Sequence, residues 1–273
     1  KDLLKARKVP TEYVERVSRI TALATPAWIE ARKKNDFKLF APHLQKIVDA
    51  NKEYLKYVRE PGHPYNTFLD AHEEGMTIEK LKPVFDKLKK DLVVLLLKIE
   101  SSDIYKKQKI VFEKHDFPKD AQMEIIHDVI KRIGLDADSW NLAFSEHPFS
   151  TRIGIKDARL TTSIRDDPLF AFSSSIHESG HSLYELGLPE SEAYNILGGA
   201  PSTGLHESQS RFWENMIGLS IPFWKFYFTK FKKKFKLKDD FKQWYLEANM
   251  VRNHQIRIES DEIHYCLHII LRF

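Results

Sequence analysis

The chain of 273 residues contains a single cysteine, Cys266. One cysteine excludes an internal disulfide, and this usage is typical of a reducing compartment, so we expect a cytoplasmic protein. No apolar run approaches the ~20 residues that a membrane-spanning helix needs, and the run VVLLL at 93–97 is far too short. We therefore expect no membrane partner.

The sequence also lacks a strong excess of charge of either sign. Its 43 basic and 39 acidic side chains leave a net charge of +4. That bias is too small to predict nucleic acid as a partner, so we expect none. Apolar residues are 42% of the chain and charged residues 30%, which is typical of a globular protein with a substantial core.

Two features are missing at the ends of the sequence. The first residue is Lys1 rather than methionine, and the last residues, YCLHIILRF, stop on an apolar run without a helix-terminating signal. We therefore expect both ends to continue in a longer protein.

Helical periodicity covers most of the chain and predicts a mainly α fold. Helices are predicted at about 11–34, 42–58, 77–99, 120–133, 168–186 and 204–219, within 221–251, and from 261 onward. Residues 140–146 and 157–164 are short, β-leaning and bounded by Gly, Pro and Asp, which predicts strands of a small sheet. Residues 254–260 are interpreted as a further strand.

The stretch SIHESGHSLYE, residues 175–185, carries the chemistry of the sequence. Asp167, Pro168 and Gly187 bracket it within one helix. His177 and His181 then lie on one helical face, about 6 Å apart along the axis, where both imidazoles can bind one ion such as zinc.

Glu178 flanks that ion, about 100° around the helix from His177. It can accept a proton from water and later donate it to a leaving amine, as in the His-Glu-x-x-His zinc peptidases. The alternative is a surface helix with two solvated histidines. Apolar residues on several sides of the helix favour a central position instead.

A catalytic metal site needs a third protein ligand and an open position. The segment GGAPSTGLHESQSRFWENMIG, residues 198–218, offers Glu207, with His206 as a competing ligand that spacing alone does not exclude. Arg211 and Glu214 share the helical face of Glu207 and could orient it from behind. The alternative for Arg211 and Glu207 is an ordinary surface ion pair.

These residues resemble a known family. IHESGH followed by GLHESQSRFWEN is similar to the carboxypeptidase Taq family of metallocarboxypeptidases. Three further segments resemble family signatures, with Ser260 and Cys266 as departures: HPF at 147–149, DARLT at 157–161, and IRIESD at 256–261 continuing into YCLHIILRF. The resemblance is strongest over about 140–273.

The resemblance implies a zincin-like, almost all-helical homodimer with a small β-sheet beside a deep active-site groove. It implies one peptidase domain over 1–273, with a helical region to about 135 and a metal-binding catalytic region over about 136–273. It further implies zinc, or cobalt, held by His177, His181 and Glu207, with Glu178 as general acid and base. The reaction would release single amino acids from free peptide C-termini with broad preference.

One family motif, Gly-x-x-Gln-Asp-x-His-Trp, does not occur in the chain. Relative to the family, the sequence is therefore interpreted as truncated at its C-terminus, with a complete metal site and an incomplete substrate wall. The alternative function is a catalytically impaired fragment that serves only as a metal-binding or dimerisation module.

A carboxypeptidase must bind a terminal carboxylate, and arginine does so through a bidentate fork. Arg257 is the first candidate, because the family motif has an arginine there, and Arg159 is the second. Arg159 could instead be a structural partner of Asp157, which is assigned to the supporting residues together with Arg211 and Glu214. Tyr265 is a candidate donor to the oxyanion or, alternatively, a packed aromatic.

The sequence disfavours two alternative functions. A different His-Glu-x-x-His peptidase is disfavoured, because the aminopeptidase signature Gly-x-Met-Glu-Asn is absent. The thermolysin-type Asn-Glu with a downstream aspartate is also absent, since Arg211 follows Glu207 instead. Lysines interleaved with aromatics at 223–241 could bind an anionic surface. The helical spacing of the aromatics at 223, 226, 231 and 235 favours an amphipathic core helix with solvated lysines.

Overall fold

The computed structural model describes residues 1–107, 115–251, 254 and 256–273. Two compact units are present, Lys1–Lys82 and Pro83–Phe273. In the described part of the chain, helices dominate and three strands form one sheet, which confirms the predicted mainly α class with a small sheet. The assignment of 1–273 to one peptidase domain stays a prediction.

The first unit is built from helices. In chain order they are α1 (Asp2–Ala6), α2 (Thr11–Lys34), α3 (Phe37–Tyr54), α4 (Asn66–His72) and the start of α5 (Ile78–Ser101). Helices α2 and α3 pack together, and the buried hydroxyl of Tyr13 donates to the backbone oxygen of Ala50 at 2.8 Å. Helix α3 begins five residues earlier than predicted, because Asp36 caps it by accepting from the backbone N–H of Lys38.

A cluster of charges around Asp70 connects α4 to the start of the chain in this unit. The carboxylate of Asp70 is only 8% exposed and pairs with Lys5 and Lys1. It also accepts from the backbone N–H of Gly75 at 2.8 Å. The hydrogen bonds from Lys5 and Gly75 lower the pKa of Asp70 to about 2.

The second unit contains the sheet. After α6 (Asp103–Lys106) and α7 (Lys119–Arg132) come β1 (Trp140–Phe144), β2 (Ser150–Gly154) and β3 (Asp157–Thr162). Strand β3 is central, parallel to β1 and antiparallel to β2. Both predicted strands are confirmed. Strand β2 was missed because it is a short edge strand of partly exposed residues without an apolar alternation.

The long central helix follows as α8 (Pro168–Leu186), with the predicted bounds. Asp167 caps it by accepting from the backbone N–H of Leu169 at 2.8 Å, and Gly187 is its C-cap. Then come α9 (Thr203–Arg211), a π-helical turn (Phe212–Ile217), α10 (Ile221–Phe235), α11 (Phe241–Ala248) and α12 (Glu262–Arg272).

The prediction of a strand at 254–260 is wrong. Arg257–Glu259 forms a turn of 3₁₀-helix, and residue 255 lies outside the described residues. The hydroxyl of Ser260 donates to the backbone oxygens of His254 and Ile256, both at 3.1 Å. Such local side-chain bonds compete with strand pairing.

Aromatic side chains from α8, α10 and α11 form the core of the second unit. Phe172 is 1% exposed and packs against the rings of Trp224 and Phe231. The predicted core helix is therefore confirmed, but its predicted face is partly wrong, because Phe226 is 51% exposed.

Two lysines of α10 pair with carboxylates of α7, Lys230 with Asp128 and Lys234 with Glu124. This pairing disfavours an anion-binding role for α10.

Within the described residues, no helix combines the length and the apolar character that crossing a bilayer requires.

Replacing Asp70 by asparagine tests the charge cluster. Because the folded pKa lies below the ordinary value of 3.8, the carboxylate stabilises the fold above that value and loses its effect as the pH falls toward about 2. We expect Asp70→Asn to lower the free energy of unfolding by about 1 kcal/mol at pH 7 and by almost nothing near pH 2, with the modest size reflecting solvent screening. Urea titrations followed by circular dichroism measure both values.

The matched control is Glu74→Gln, since Glu74 pairs with Lys1 from an exposed side chain. It should change the free energy of unfolding much less than Asp70→Asn does. An Asp70→Asn effect that is equal at pH 7 and pH 2 would contradict the electrostatic account.

Candidate metal centre

Helix α8 and the following helix α9 bring three predicted ligands together. The imidazole rings of His177 and His181 lie on one face of α8 with centroids 4.8 Å apart. Glu207 enters from α9, with its Oε2 3.4 Å from His181 Nε2 and 3.7 Å from His177 Nε2. One donor atom from each of the three residues lies within 4.8 Å of the others.

The donor set fits a divalent ion. Two imidazole nitrogens and one carboxylate oxygen are the protein ligands of many catalytic zinc sites, and three ligands leave one tetrahedral position open. His177, His181 and Glu207 are the sole such cluster of three or more ligating side chains in the part of the chain that the structure describes.

Gly180 explains how α9 comes so close to α8. A Cβ atom at position 180 would lie 2.7 Å from Ser210 Cα and 2.9 Å from the backbone oxygen of Gln209. Real Cβ atoms do not approach backbone atoms so closely, so a side chain there would push the two helices apart. The glycine between the two histidines therefore permits the crossing that delivers Glu207.

The predicted ligand Glu207 is stabilised as an anion. Burial alone would raise its pKa, but His181, His177 and Arg211 lower it to about 2. Arg211 Nε donates to Glu207 Oε1 at 3.3 Å. The i,i+4 pair predicted from the sequence therefore forms, and it lies behind the ligand cluster.

Glu214 connects Arg211 to His177. The Nδ1 atom of His177 donates to Glu214 Oε2 at 2.8 Å, and Arg211 donates to the same oxygen at 2.9 Å. Burial lowers the pKa of His177, but the hydrogen bond to Glu214 and the nearby carboxylates raise it above its ordinary value. This contact leaves His177 Nε2 directed to Glu207, as a carboxylate behind a metal-binding histidine does.

Glu178 follows His177 directly on α8 and occupies a buried position. It is 6% exposed, and this burial raises the pKa of its carboxyl against the opposing charges of His177 and His181. The hydroxyl of Ser150, the first residue of β2, donates to it. Sequence reasoning missed Ser150 because strand β2 itself was not predicted.

The segment before Ser150 is held by Thr161 of β3. Ser145 donates to the Thr161 hydroxyl oxygen at 2.7 Å, and the backbone N–H of Phe149 donates to it at 2.9 Å. The threonine of the DARLT segment thus fixes the HPF segment, which leads directly to the partner of Glu178.

His206, the competing ligand, does not join the cluster. Its Nε2 donates to Glu185 Oε1 at 2.9 Å, and its ring stacks on that of His181. Of the two neighbouring candidates on α9, the structure therefore directs Glu207 toward the two histidines of α8.

The substrate-binding candidates fall into two groups. Arg257 donates to the phenol oxygen of Tyr265 at 3.3 Å, and the guanidinium of Arg211 lies 3.8 Å from the centre of the Tyr265 ring. Tyr265 and Arg257 are thus connected to the ligand cluster. Arg159 instead donates to Asp157 at 2.7 Å on the partly exposed strand β3, and neither residue contacts the cluster in the described contacts.

Comparisons with known proteins all indicate one metallopeptidase family. The profile of the carboxypeptidase Taq (M32) metallopeptidases matches residues 1–273. The chain is 36% identical over 273 residues to thermostable carboxypeptidase 1 of Pyrococcus furiosus and 35% identical over 275 residues to carboxypeptidase 1 of Bacillus subtilis. Each alignment covers 98% of this chain and 54% of the relative, so the chain spans about half the length of these relatives.

A solved structure of a protein from the same family has a similar fold. The M32 carboxypeptidase of Deinococcus radiodurans superposes with a TM-score of 0.86 at 35% identity, over 100% of this chain and 55% of that one.

Replacing Gly180 by alanine tests the helix crossing. The new methyl group has no room against Ser210, so we expect α9 to move and the melting temperature to fall, with a cost of about 1–3 kcal/mol. Zinc affinity should fall as well, because Glu207 moves with α9. Differential scanning calorimetry and chelator competition measure the two effects.

The matched control is Gly199→Ala, since the nearest atom to a Cβ at that position is 3.9 Å away. It should leave zinc affinity unchanged. If Gly180→Ala retained wild-type stability and zinc affinity, the conclusion that Gly180 permits the crossing of α8 and α9 would be wrong.

Proposed function

Because the chain belongs to the carboxypeptidase Taq (M32) metallopeptidase family, we propose that it forms the metal-binding part of a carboxypeptidase. Its substrates are peptides with a free C-terminus, from which it releases single amino acids with broad preference. The observation that carries this proposal is the convergence of His177, His181 and Glu207 beside the buried carboxyl of Glu178. We propose zinc as the metal, with cobalt as a substitute, in a cytoplasmic homodimer.

The three ligands would hold the ion, and the ion would polarise the scissile carbonyl and a water molecule. Glu178 has the chemical role of moving protons. Its carboxylate accepts a proton from the attacking water and passes it to the nitrogen of the leaving amino acid. Burial supports this role, since a raised pKa makes the protonated form accessible between the two transfers.

Arg257 and Tyr265 are proposed to bind the substrate. Arg257 offers a planar set of donors that suits the terminal carboxylate. Its contact with the phenol oxygen of Tyr265 leaves the O–H of Tyr265 available to donate to the developing oxyanion. Arg159 is the second candidate for the carboxylate, and its bond to Asp157 supports a structural role as well.

A second candidate function rests on the length of the chain. Because the chain spans about half of its relatives, it could be a catalytically impaired fragment that acts as a metal-binding or dimerisation module. Zinc binding without release of amino acids from peptides would favour this function over the first.

Replacing Glu178 by glutamine separates metal binding from turnover. The amide cannot accept the proton from water, so we expect kcat to fall by about 10²- to 10⁴-fold. Zinc content should stay at the wild-type value, because His177, His181 and Glu207 are intact. Amino-acid release and zinc content are measured on the same preparation.

The matched control is Glu190→Gln, since Glu190 is an exposed carboxylate paired with Lys156. It should retain full turnover. Normal turnover in zinc-loaded Glu178→Gln protein would remove Glu178 from the proposed mechanism.

Replacing Arg257 by glutamine tests recognition of the terminal carboxylate. Loss of a charged hydrogen-bond donor should raise KM for peptides with a free C-terminus by roughly 10- to 100-fold. Arg159→Gln is the comparison variant, and a smaller effect is expected for it. Peptide hydrolysis with both variants provides the measurement.

Peptides with an amidated C-terminus test the reaction class directly. A carboxypeptidase should cleave them poorly, whatever residue stands at position 257. Cleavage of amidated and free peptides at equal rates would indicate an endopeptidase and would contradict the proposed function.

A further inference from the structure

The two histidines of the ligand cluster are supported in different ways. His177 uses Nδ1 to donate to Glu214. The Nδ1 atom of His181 is buried and, among the residues that the structure describes, has no hydrogen-bond partner. Metal-binding histidines almost always fix their ring with a hydrogen bond from the second nitrogen. The ring of His181 must therefore be held by another contact.

The imidazole of His206 supplies a candidate for that contact. Its ring lies against the ring of His181, with centroids 4.4 Å apart and planes inclined by 21°. The two rings are therefore stacked nearly parallel at contact distance. Tyr184 meets the ring of His206 edge-on, with centroids 5.5 Å apart and planes inclined by 84°. The plane of His206 is thus fixed by its neighbours.

His206 is in turn anchored to the sheet. Its Nε2 donates to Glu185 Oε1 at 2.9 Å, and Arg152 of β2 pairs with Glu185 Oε2 at 3.2 Å. Arg152 also donates to the backbone oxygens of Glu185 and Gly198. The side chains of Arg152, Glu185 and His206 are all largely shielded, with 19%, 21% and 26% of their surface exposed. A continuous set of contacts therefore runs from β2 to the ring of His181.

We propose that His206 is a positioning residue, whose imidazole stacks on His181 and holds that ring with Nε2 directed toward Glu207. Glu185 and Arg152 fix His206 in this position. The proposal rests on the proposed function only in taking His181 as a metal ligand. It differs from ligation by His206, because the Nε2 of His206 is engaged with Glu185.

The test is zinc affinity, measured without substrate on the metal-depleted chain by competition with a chromophoric chelator. His206→Ala removes the stacked ring and should weaken zinc binding by roughly 10- to 100-fold. His206→Phe retains a flat ring but loses the bond to Glu185, so its zinc affinity should lie between those of His206→Ala and the wild type. Leu205→Ala changes a 40% exposed neighbour on the same helix and should leave the affinity unaltered.

A second readout reports the ligand geometry. In cobalt-loaded protein, the visible absorption spectrum should change for His206→Ala and change less for His206→Phe. Far-ultraviolet circular dichroism establishes that each variant is folded. A merely structural role of His206 would change stability without this change in the cobalt spectrum.

Three outcomes overturn the proposal. Wild-type zinc affinity in His206→Ala shows that the stack is not needed. Equal losses in His206→Ala and His206→Phe indicate that a nitrogen atom matters rather than a stacked ring. Glu207→Ala, measured in parallel, separates the two proposals: if it loses zinc while His206→Ala does not, only the positioning role fails. If Glu207→Ala keeps zinc, the metal site and both proposals fail.

Discussion

The close contact between Gly180 and the backbone of Ser210 is the constraint on which the candidate site depends. The two histidines share a helix and are adjacent by periodicity alone, but the carboxylate of Glu207 comes from another helix. It reaches them because no side chain separates α8 from α9 at the crossing. Local helix geometry therefore provides two of the three donors, and packing provides the third.

The surroundings of the cluster divide into two kinds of support. On one side Glu214 and Arg211 form a charged network with His177 and Glu207. On the other side His181 rests against His206, whose anchor leads to the sheet. Glu178 is buried beside them and hydrogen-bonds to Ser150 of β2.

The parts that could be predicted from sequence are those set by local chemistry. Helix α8 was predicted with its bounds because Asp167 and Gly187 act on their immediate neighbours. The pairing of Arg211 with Glu207 followed from helical spacing. Strand β2 could not be predicted, because an edge strand is stabilised by its partner rather than by its own pattern. The roles of Ser150 and His206 depend on which elements lie opposite them, and sequence spacing does not contain that information.

The π-helical turn after α9 has a consequence for how this protein can vary. The backbone N–H of Gly218 bonds to the oxygen of Trp213, five residues earlier, and a Cβ at position 218 would collide with the oxygen of Glu214. Such a turn holds one residue more than an α-helical turn. Deleting that residue would rotate everything downstream by about 100° and break the bond from Asn215 to Glu262 at the start of α12. The turn therefore fixes the number of residues between α9 and α10.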